Sequence, residues 1–270
     1  MNNPLVSVII RTYNQKPCFL NESLKGILNQ TYSNLEVILA DDSDKTESIN
    51  FIDNIASKDS RVVILRKPYR MGLSDSFNEA FKICKGEYIA LLDDDDVPYP
   101  NRIEIQLQYA KEHPEIDLFG GDMDIIDENG IVKSERYYPT TQSSIERMFI
   151  FRSPFSQPTL MFKRQIIDNG FRYNPQYKRA EDIDFLIRIY GSGYKFGNVG
   201  KKVLKYRVVD NLQNKRRRDQ WIFNHRARTK NFIWSKPLFS TASWFVSLCY
   251  IFTPTFIIRK YYAHENQKKK

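Results

Sequence analysis

Four consecutive carboxylates, Asp93-Asp94-Asp95-Asp96, follow directly on the apolar run Tyr88 to Leu92. Like charges gathered at the end of a buried strand repel one another and need a compensating cation, and a hard divalent metal with oxygen ligands supplies one. On an extended chain Asp93 and Asp95 point the same way, with Cα atoms roughly 6.5 Å apart, suiting a metal that also carries waters and a diphosphate. Asp94 then points the other way, where it could meet a ribose hydroxyl. The same run would equally suit an acidic turn leading into the helix that follows Pro98 and Pro100. Two further acids, Asp41 and Asp42, end the apolar segment Leu35 to Ala40, and Thr12 and Asn14 follow the apolar run Val6 to Ile10. A last acidic pair, Glu181-Asp182, opens an amphipathic stretch with Phe185, Leu186 and Ile189 on its apolar face. Acids at that position also favour a helix's positive end by roughly 0.3 to 1 kcal/mol, without any chemistry.

The elements that must position these groups alternate. Val6 to Ile10 reads as a strand buried on both faces, and Leu35 to Ala40, Val62 to Leu65 and Tyr88 to Leu92 read as further strands. Between them, Asn21 to Gln30 predicts a helix with Asn21 as N-cap. Ser76 to Cys84 predicts another, opened by the capping-box spacing Ser76-x-x-Glu79 and closed at Gly86. Strand and helix in alternation with short connections is the pattern of βαβ units and a parallel sheet covered on both faces, an α/β fold. In such sheets ligands bind beyond the carboxyl ends of the strands, so Thr12 and Asn14, Asp41 and Asp42, and Asp93 to Asp96 are expected along one edge.

The 270 residues carry 41% hydrophobic, 14% aromatic and 27% charged residues, which excludes a wholly disordered chain and suits one large α/β domain or two small ones. Cys18, Cys84 and Cys249 are far apart and odd in number, so neither a disulfide framework nor a structural zinc site is expected, and a reducing compartment is the simpler reading. His113, His225 and His264 lack the spacing of a helical metal site. The start, MNNPLVSVII, reads as a first strand rather than a signal peptide, which places the expected catalytic part in the cytoplasm.

Four segments in order, VSVIIRTYN, LEVILADDSD, GLSDSFNEAFKICKGEYIALLDDDD and AEDIDFLIRI, resemble the inverting glycosyltransferases of family 2, over residues 5 to 210. The resemblance implies a GT-A fold with a Rossmann-like, mostly parallel central sheet covered by helices. Residues 1–115 would form its nucleotide-sugar half and residues 116–210 its acceptor half. It implies that Thr12 and Asn14 border the nucleotide pocket and that Asp41 or Asp42 accepts a hydrogen bond from the base. Asp93-x-Asp95 matches the DxD motif: Asp95, helped by Asp93, would hold Mg²⁺ or Mn²⁺ against the donor's diphosphate, with Asp94 and Asp93 near the ribose and sugar. Glu181-Asp182 matches the ED motif, with Asp182 as general base and Glu181 orienting it or the acceptor. The donor implied is a nucleoside-diphosphate sugar, a UDP-sugar by default. The acceptor implied is a hydroxyl of a glycan or of a polyisoprenyl-diphosphate-linked chain in surface polysaccharide synthesis. Arg11, Phe77 and Gln157 depart from the family's pattern, and Asp184 is taken as a helix-surface residue outside the site. In the acceptor half, strands are expected at Ile116 to Phe119 and Thr159 to Phe162, with a hairpin around Asp127 to Gly130. Tyr137, Tyr138, Phe155 and Tyr177 are candidates for stacking on a sugar.

Charge divides the chain. Residues 201–270 hold 17 Lys/Arg against 3 Asp/Glu, a net of +14, whereas residues 1–200 carry −5. Between Lys236 and Arg259 lie 22 uncharged residues in which Ser240, Ser243 and Ser247 form a polar stripe, with Trp244, Phe245, Leu248, Ile251 and Phe252 gathered elsewhere. Basic clusters flank this segment, Arg216 to Arg218 before it and Arg259, Lys260 and Lys268 to Lys270 after it. Residues 211–270 are therefore expected to form an amphipathic helical extension on an anionic membrane surface, the enzyme being peripheral at the inner face of the plasma membrane. Packing on the catalytic domain and a true span are the alternatives, and a span would leave one basic flank outside, against the charge bias. Two other functions compete: a nucleic-acid-binding module using Lys215 to Arg218, and a nucleotide-sugar binder without catalysis. The acidic half has no nucleic-acid motif, and intact DxD and ED segments argue against lost catalysis.

Overall fold

The computed structural model describes residues 3–209 and 218–254. The basic clusters at Lys215 to Arg217 and at Arg259, Lys260 and Lys268 to Lys270, together with His264, lie outside the described residues.

The β-branched runs do form strands. β1 (Val6–Thr12), β2 (Leu35–Asp41), β3 (Val62–Arg66) and β4 (Tyr88–Asp93) are parallel and adjacent, in the order β3-β2-β1-β4. Alternation sends successive side chains to opposite faces. Ile9, Ile38, Ile89 and Leu91 join one buried cluster with α3 (Leu73–Ile83) and α7 (Glu181–Gly191). Val8, Ile10, Val37, Leu39 and Leu92 join another with α1 (Pro17–Leu28), α2 (Thr46–Ala56) and α4 (Arg102–Glu112).

The sheet continues without a break past residue 115. β8 (Met161–Lys163) runs antiparallel to β4 and links it to β6 (Leu118–Ile126), which pairs in parallel with the long β9 (Phe196–Arg207). β5 (Val97–Pro98) closes the far edge against β9, and β7 (Val132–Arg136) forms the expected hairpin with β6 around Asp127 to Gly130. α5 (Gln142–Phe151) and the single-turn α6 (Gln165–Asp168) complete the second half. α8 (Arg218–Lys230) and α9 (Pro237–Phe252) pack on each other, and α9 packs on α5.

Several local expectations change. α1 starts at Pro17 rather than after Asn21, because proline's fixed φ and missing N–H suit the first helical position. α3 starts at Leu73, so Ser76 lies inside the helix, its hydroxyl donating to the Gly72 carbonyl at 2.6 Å instead of capping. Gly86 does not close that helix; a Cβ there would meet the Ser7 backbone nitrogen at 2.5 Å, so glycine permits close strand approach. Thr159 belongs to a short 3-10 turn, Gln157–Thr159, and the strand begins at Met161. Neither α2 nor β9 follows from the apolar pattern: β9, FGNVGKKVLKYR, carries three lysines and is only half buried.

Candidate active site

Strand register brings the expected groups to one edge, Thr12 opposite Asp41 and Arg11 opposite Asp93. Their roles then diverge. Asp41 accepts from Arg66 Nε at 2.8 Å and from the Ser43 amide at 2.9 Å. Asp42 accepts from the Met71 amide at 2.8 Å, the Gly72 amide at 2.7 Å and the Ser76 hydroxyl at 3.2 Å. Both carboxylates are fully buried, so they brace the end of β2 and the loop into α3. Thr12 is buried at the end of β1. Asn14, in the left-handed region with φ 50°, donates to Asp44 at 2.6 Å and accepts from the Lys45 amide at 3.1 Å, tying the β1 loop to the β2 loop.

The β4 acids are not extended beyond Asp93. Asp94 and Asp95 form a turn, which removes the simple same-side alternation expected for Asp93 and Asp95. Asp94 accepts from Gln15 Nε2 at 2.8 Å. Asp96 Oδ1 accepts from the Arg207 amide at 2.8 Å, while its buried Oδ2 has no partner among the described residues. Arg207 also donates through Nε to the Asp95 carbonyl at 2.8 Å, binds Glu22, and lies 4.4 Å from the Phe19 ring centroid, clamping the turn from the end of β9. Behind it, the fully buried Arg102 donates to the Leu91 carbonyl at 2.8 Å and to Gln106 at 3.1 Å. Burial lowers its pKa to about 10, opposed by Asp96 and Asp93. These arginines provide part of the positive charge that the acidic run demands. Neither was visible in the sequence, because each lies far along the chain from the strand end or on the hidden face of the next helix.

Neutralisation is incomplete. Burial, then Asp95 and Asp94, pushes Asp93 up to about 7, and burial with Asp94 pushes Asp95 up to about 6. Burial also raises Asp94, and burial with Asp93 raises Asp96 well above its ordinary range. Among the described residues no three His, Cys, Asp or Glu side chains form a metal cage.

The second acidic pair starts α7. Ala180, with φ 59°, turns the chain into the helix, and Glu181 and Asp182 occupy its first turn. Burial and the adjacent Asp182 push Glu181 up to about 7. Burial raises Asp182 against the pull of the first-turn amides of Ile183 and Asp182 itself. Asp184 is not a surface residue. It is buried, pairing with Arg188 at 2.8 Å and accepting from Asn231 at 2.9 Å, which ties α7 to the connection after α8.

Asp93 and Asp182 line one cavity of about 310 Å³. Tyr138 and Phe155 line it too, whereas Tyr137 and Tyr177 do not. Gln157, also in its wall, donates to the fully buried Tyr173 hydroxyl at 2.9 Å, and Tyr173 stacks on Phe185 at 4.5 Å. Phe77 belongs to that same core, 5.2 Å from the Tyr173 ring. Sequence reasoning missed the contribution of α8, whose Gln220, Trp221 and Asn224 close the cavity.

The profile of glycosyl transferase family 2 matches residues 7–171. An uncharacterised glycosyltransferase of Methanocaldococcus jannaschii is 31% identical over 276 residues, covering 96% of this chain and 93% of that protein. The O-antigen biosynthesis glycosyltransferase WbnJ of Escherichia coli is 31% identical over 207 residues, covering 76% of this chain and 80% of WbnJ. Among solved structures, S. aureus TarS 1–349 in complex with UDP-GlcNAc superposes with a TM-score of 0.66 at 18% identity, over 83% of this chain and 66% of that one. The chain spans 39% of the longer TarS structure. The likeness extends to the GT-A arrangement of a curled, mostly parallel sheet with flanking helices.

Proposed function

The chain belongs to glycosyl transferase family 2 and is a glycosyltransferase, and from that premise we propose that it is a metal-dependent, inverting enzyme of surface polysaccharide synthesis. The observation that carries this reading is the meeting of Asp93, at the end of β4, with Asp182, in the first turn of α7, at one cavity. In this reading Asp95 and Asp93 hold Mg²⁺ or Mn²⁺, and Asp94 lies near the ribose. When bound, the metal would neutralise charge developing on the departing nucleoside diphosphate. Thr12 and Asn14 border the nucleotide, and the base lies against the wall built on Asp41 and Asp42. Asp182 takes the proton of the acceptor hydroxyl while that oxygen attacks the anomeric carbon opposite the leaving group. Glu181 orients Asp182 or the acceptor. The incompletely neutralised carboxylates support metal binding, and the similarity to WbnJ, an O-antigen biosynthesis glycosyltransferase, supports a glycan acceptor.

The donor class is tested by thermal shift of the purified protein with UDP, GDP, dTDP and CMP, each with Mn²⁺ and with EDTA. A ligand at a hundredfold excess over its dissociation constant raises stability by about 2.7 kcal/mol. One nucleoside diphosphate, UDP by default, is expected to shift the transition only with metal. No shift with any nucleotide would overturn the reading.

The same reading places the enzyme on an anionic membrane through residues 211–270, at the cytoplasmic face. α9 supports it by turning the usual surface pattern inside out. Ser240, Ser243 and Ser247 are buried, with Ser243 bonded to Arg228 and Ser247 to His225 at 2.9 Å. Leu238, Phe245 and Phe252 are outside, exposed by 87%, 60% and 72%. No helix among the described residues is long and apolar enough to cross a membrane. Such a face suits lying in the headgroup region. Co-sedimentation with anionic but not zwitterionic vesicles is expected, and Phe245→Ser with Phe252→Ser should abolish it; equal recovery with both vesicle types, or unchanged recovery of the variant, would refute the membrane assignment.

A further inference from the structure

The cavity shared by Asp93 and Asp182 has a chemically one-sided remainder. Asp93 is the one lining residue from the first 115; Thr12, Asn14, Asp41, Asp42, Asp94 and Asp95 do not line it. Among the described residues its other charged groups are the guanidinium groups of Arg136, at the end of β7, and Arg152, after α5. α8 adds Trp221, only 8% exposed, whose indole Nε1 has no acceptor among the described residues. Arg136 Nε is buried and equally without an acceptor. Buried donors left unpaired are costly, more so when charged, and call for an acceptor that the described residues do not supply. The Arg136 guanidinium and the Trp221 indole N–H match an oxyanion, since a planar guanidinium fork pairs with phosphate or carboxylate oxygens.

We infer that this part of the cavity is an acceptor subsite for an oxyanion, a phosphate or sugar carboxylate carried beside the accepting hydroxyl, with Arg136 and Trp221 among its donors. The inference rests on the glycosyltransferase reading and names the acceptor's chemistry. The donor's diphosphate lies with Asp93 and Asp95 in that reading, so the anion at Arg136 belongs to the other substrate. The extension beyond residue 210 then completes the acceptor site as well as meeting a membrane. An acceptor without the anion would leave Arg136 and Trp221 unpaired, and this is how the enzyme would reject it.

The test is calorimetric titration of the full chain in EDTA with inorganic phosphate and, separately, with glucuronate. Binding of at least one is expected, and the tighter of the two identifies the source of the oxyanion. Arg136→Gln should weaken it about tenfold. Trp221→Phe, which keeps a ring in place, should weaken it about threefold, and Arg136→Lys should fall between wild type and Arg136→Gln. Nucleoside-diphosphate affinity in Mn²⁺ should stay within about twofold in all three variants. The inference is overturned if neither anion binds, if Arg136→Gln binds it as wild type does, or if nucleoside-diphosphate affinity falls in step, which would assign Arg136 to the donor. A wild type that binds phosphate through Arg136 but no nucleoside diphosphate would sink the donor assignment instead, so the two failures are separable.

Discussion

The acids at the end of β2 and the acids shared by β4 and α7 look alike in sequence and differ in what surrounds them. Asp41 and Asp42 have their oxygens filled by Arg66, by backbone amides of residues 43, 71 and 72, and by the Ser76 hydroxyl. Asp93, Asp95, Glu181 and Asp182 are half-buried at the surface of the cleft rather than sealed, and burial still raises all four. Arg102 and Arg207 approach the β4 turn from behind, the latter through the Asp95 carbonyl rather than its carboxylate. A buried carboxylate with every acceptor position filled is a structural post. One held in a low-dielectric cavity without full compensation is a site awaiting a proton or a cation.

The largest expected effect tests the open set. Asp182→Asn keeps the shape of the side chain and removes its capacity to take a proton, so turnover should fall about 10² to 10⁴-fold. Nucleotide affinity with metal should hold if Asp182 serves the acceptor, as proposed. A steady-state assay with the donor identified by thermal shift separates the two. The pH profile sharpens the contrast: a base must be ionised, and burial raises Asp182, so kcat/KM should fall on the acid side at a pH above the ordinary aspartate range. Unchanged turnover in Asp182→Asn would remove it from the reaction and leave its burial as a purely local feature.

How much of this was legible depended on whether the signal was local. Strands β1 to β4 are continuous apolar runs, and acids that end a run must fall at the carboxyl edge of a parallel sheet, so the common edge followed from pattern alone. The acidic run after β4 stood out because charge breaks off a strong apolar run, whereas Glu181-Asp182 stood out only through the resemblance to family 2, since an acidic first helical turn is otherwise ordinary. The clamp on the acidic turn was illegible, since Arg207 ends a strand with three lysines and no clean alternation. Asp184 illustrates the same limit. Two residues from Asp182 on one helix, it is buried by Asn231, which only the folding back of the C-terminal segment brings near. The inside-out packing of α9 was half legible: the serine stripe was plain at helical spacing, but which face turns inward is decided by Arg228 and His225 on α8.

The smaller effect tests the filled set, and it is the one most able to break the contrast. In Asp42→Asn one oxygen still accepts, but the new amide faces donors at the Gly72 N–H and the Ser76 hydroxyl, so at least one backbone group in the loop before α3 loses its partner. Hydrogen bonds to a charged acceptor contribute roughly 1.5–3 kcal/mol, and a loss of about 2 kcal/mol lowers the transition by roughly 4–8 °C in a chain of this size. Nucleotide affinity, measured well below the new transition, should change less than threefold, because the carboxylate faces the loop and has no exposed surface. If instead the transition stays put and nucleotide binding weakens tenfold or more, Asp42 contacts the base directly. The β2 acids would then belong with the open set, and satisfied hydrogen bonding would no longer separate structural from functional carboxylates in this fold.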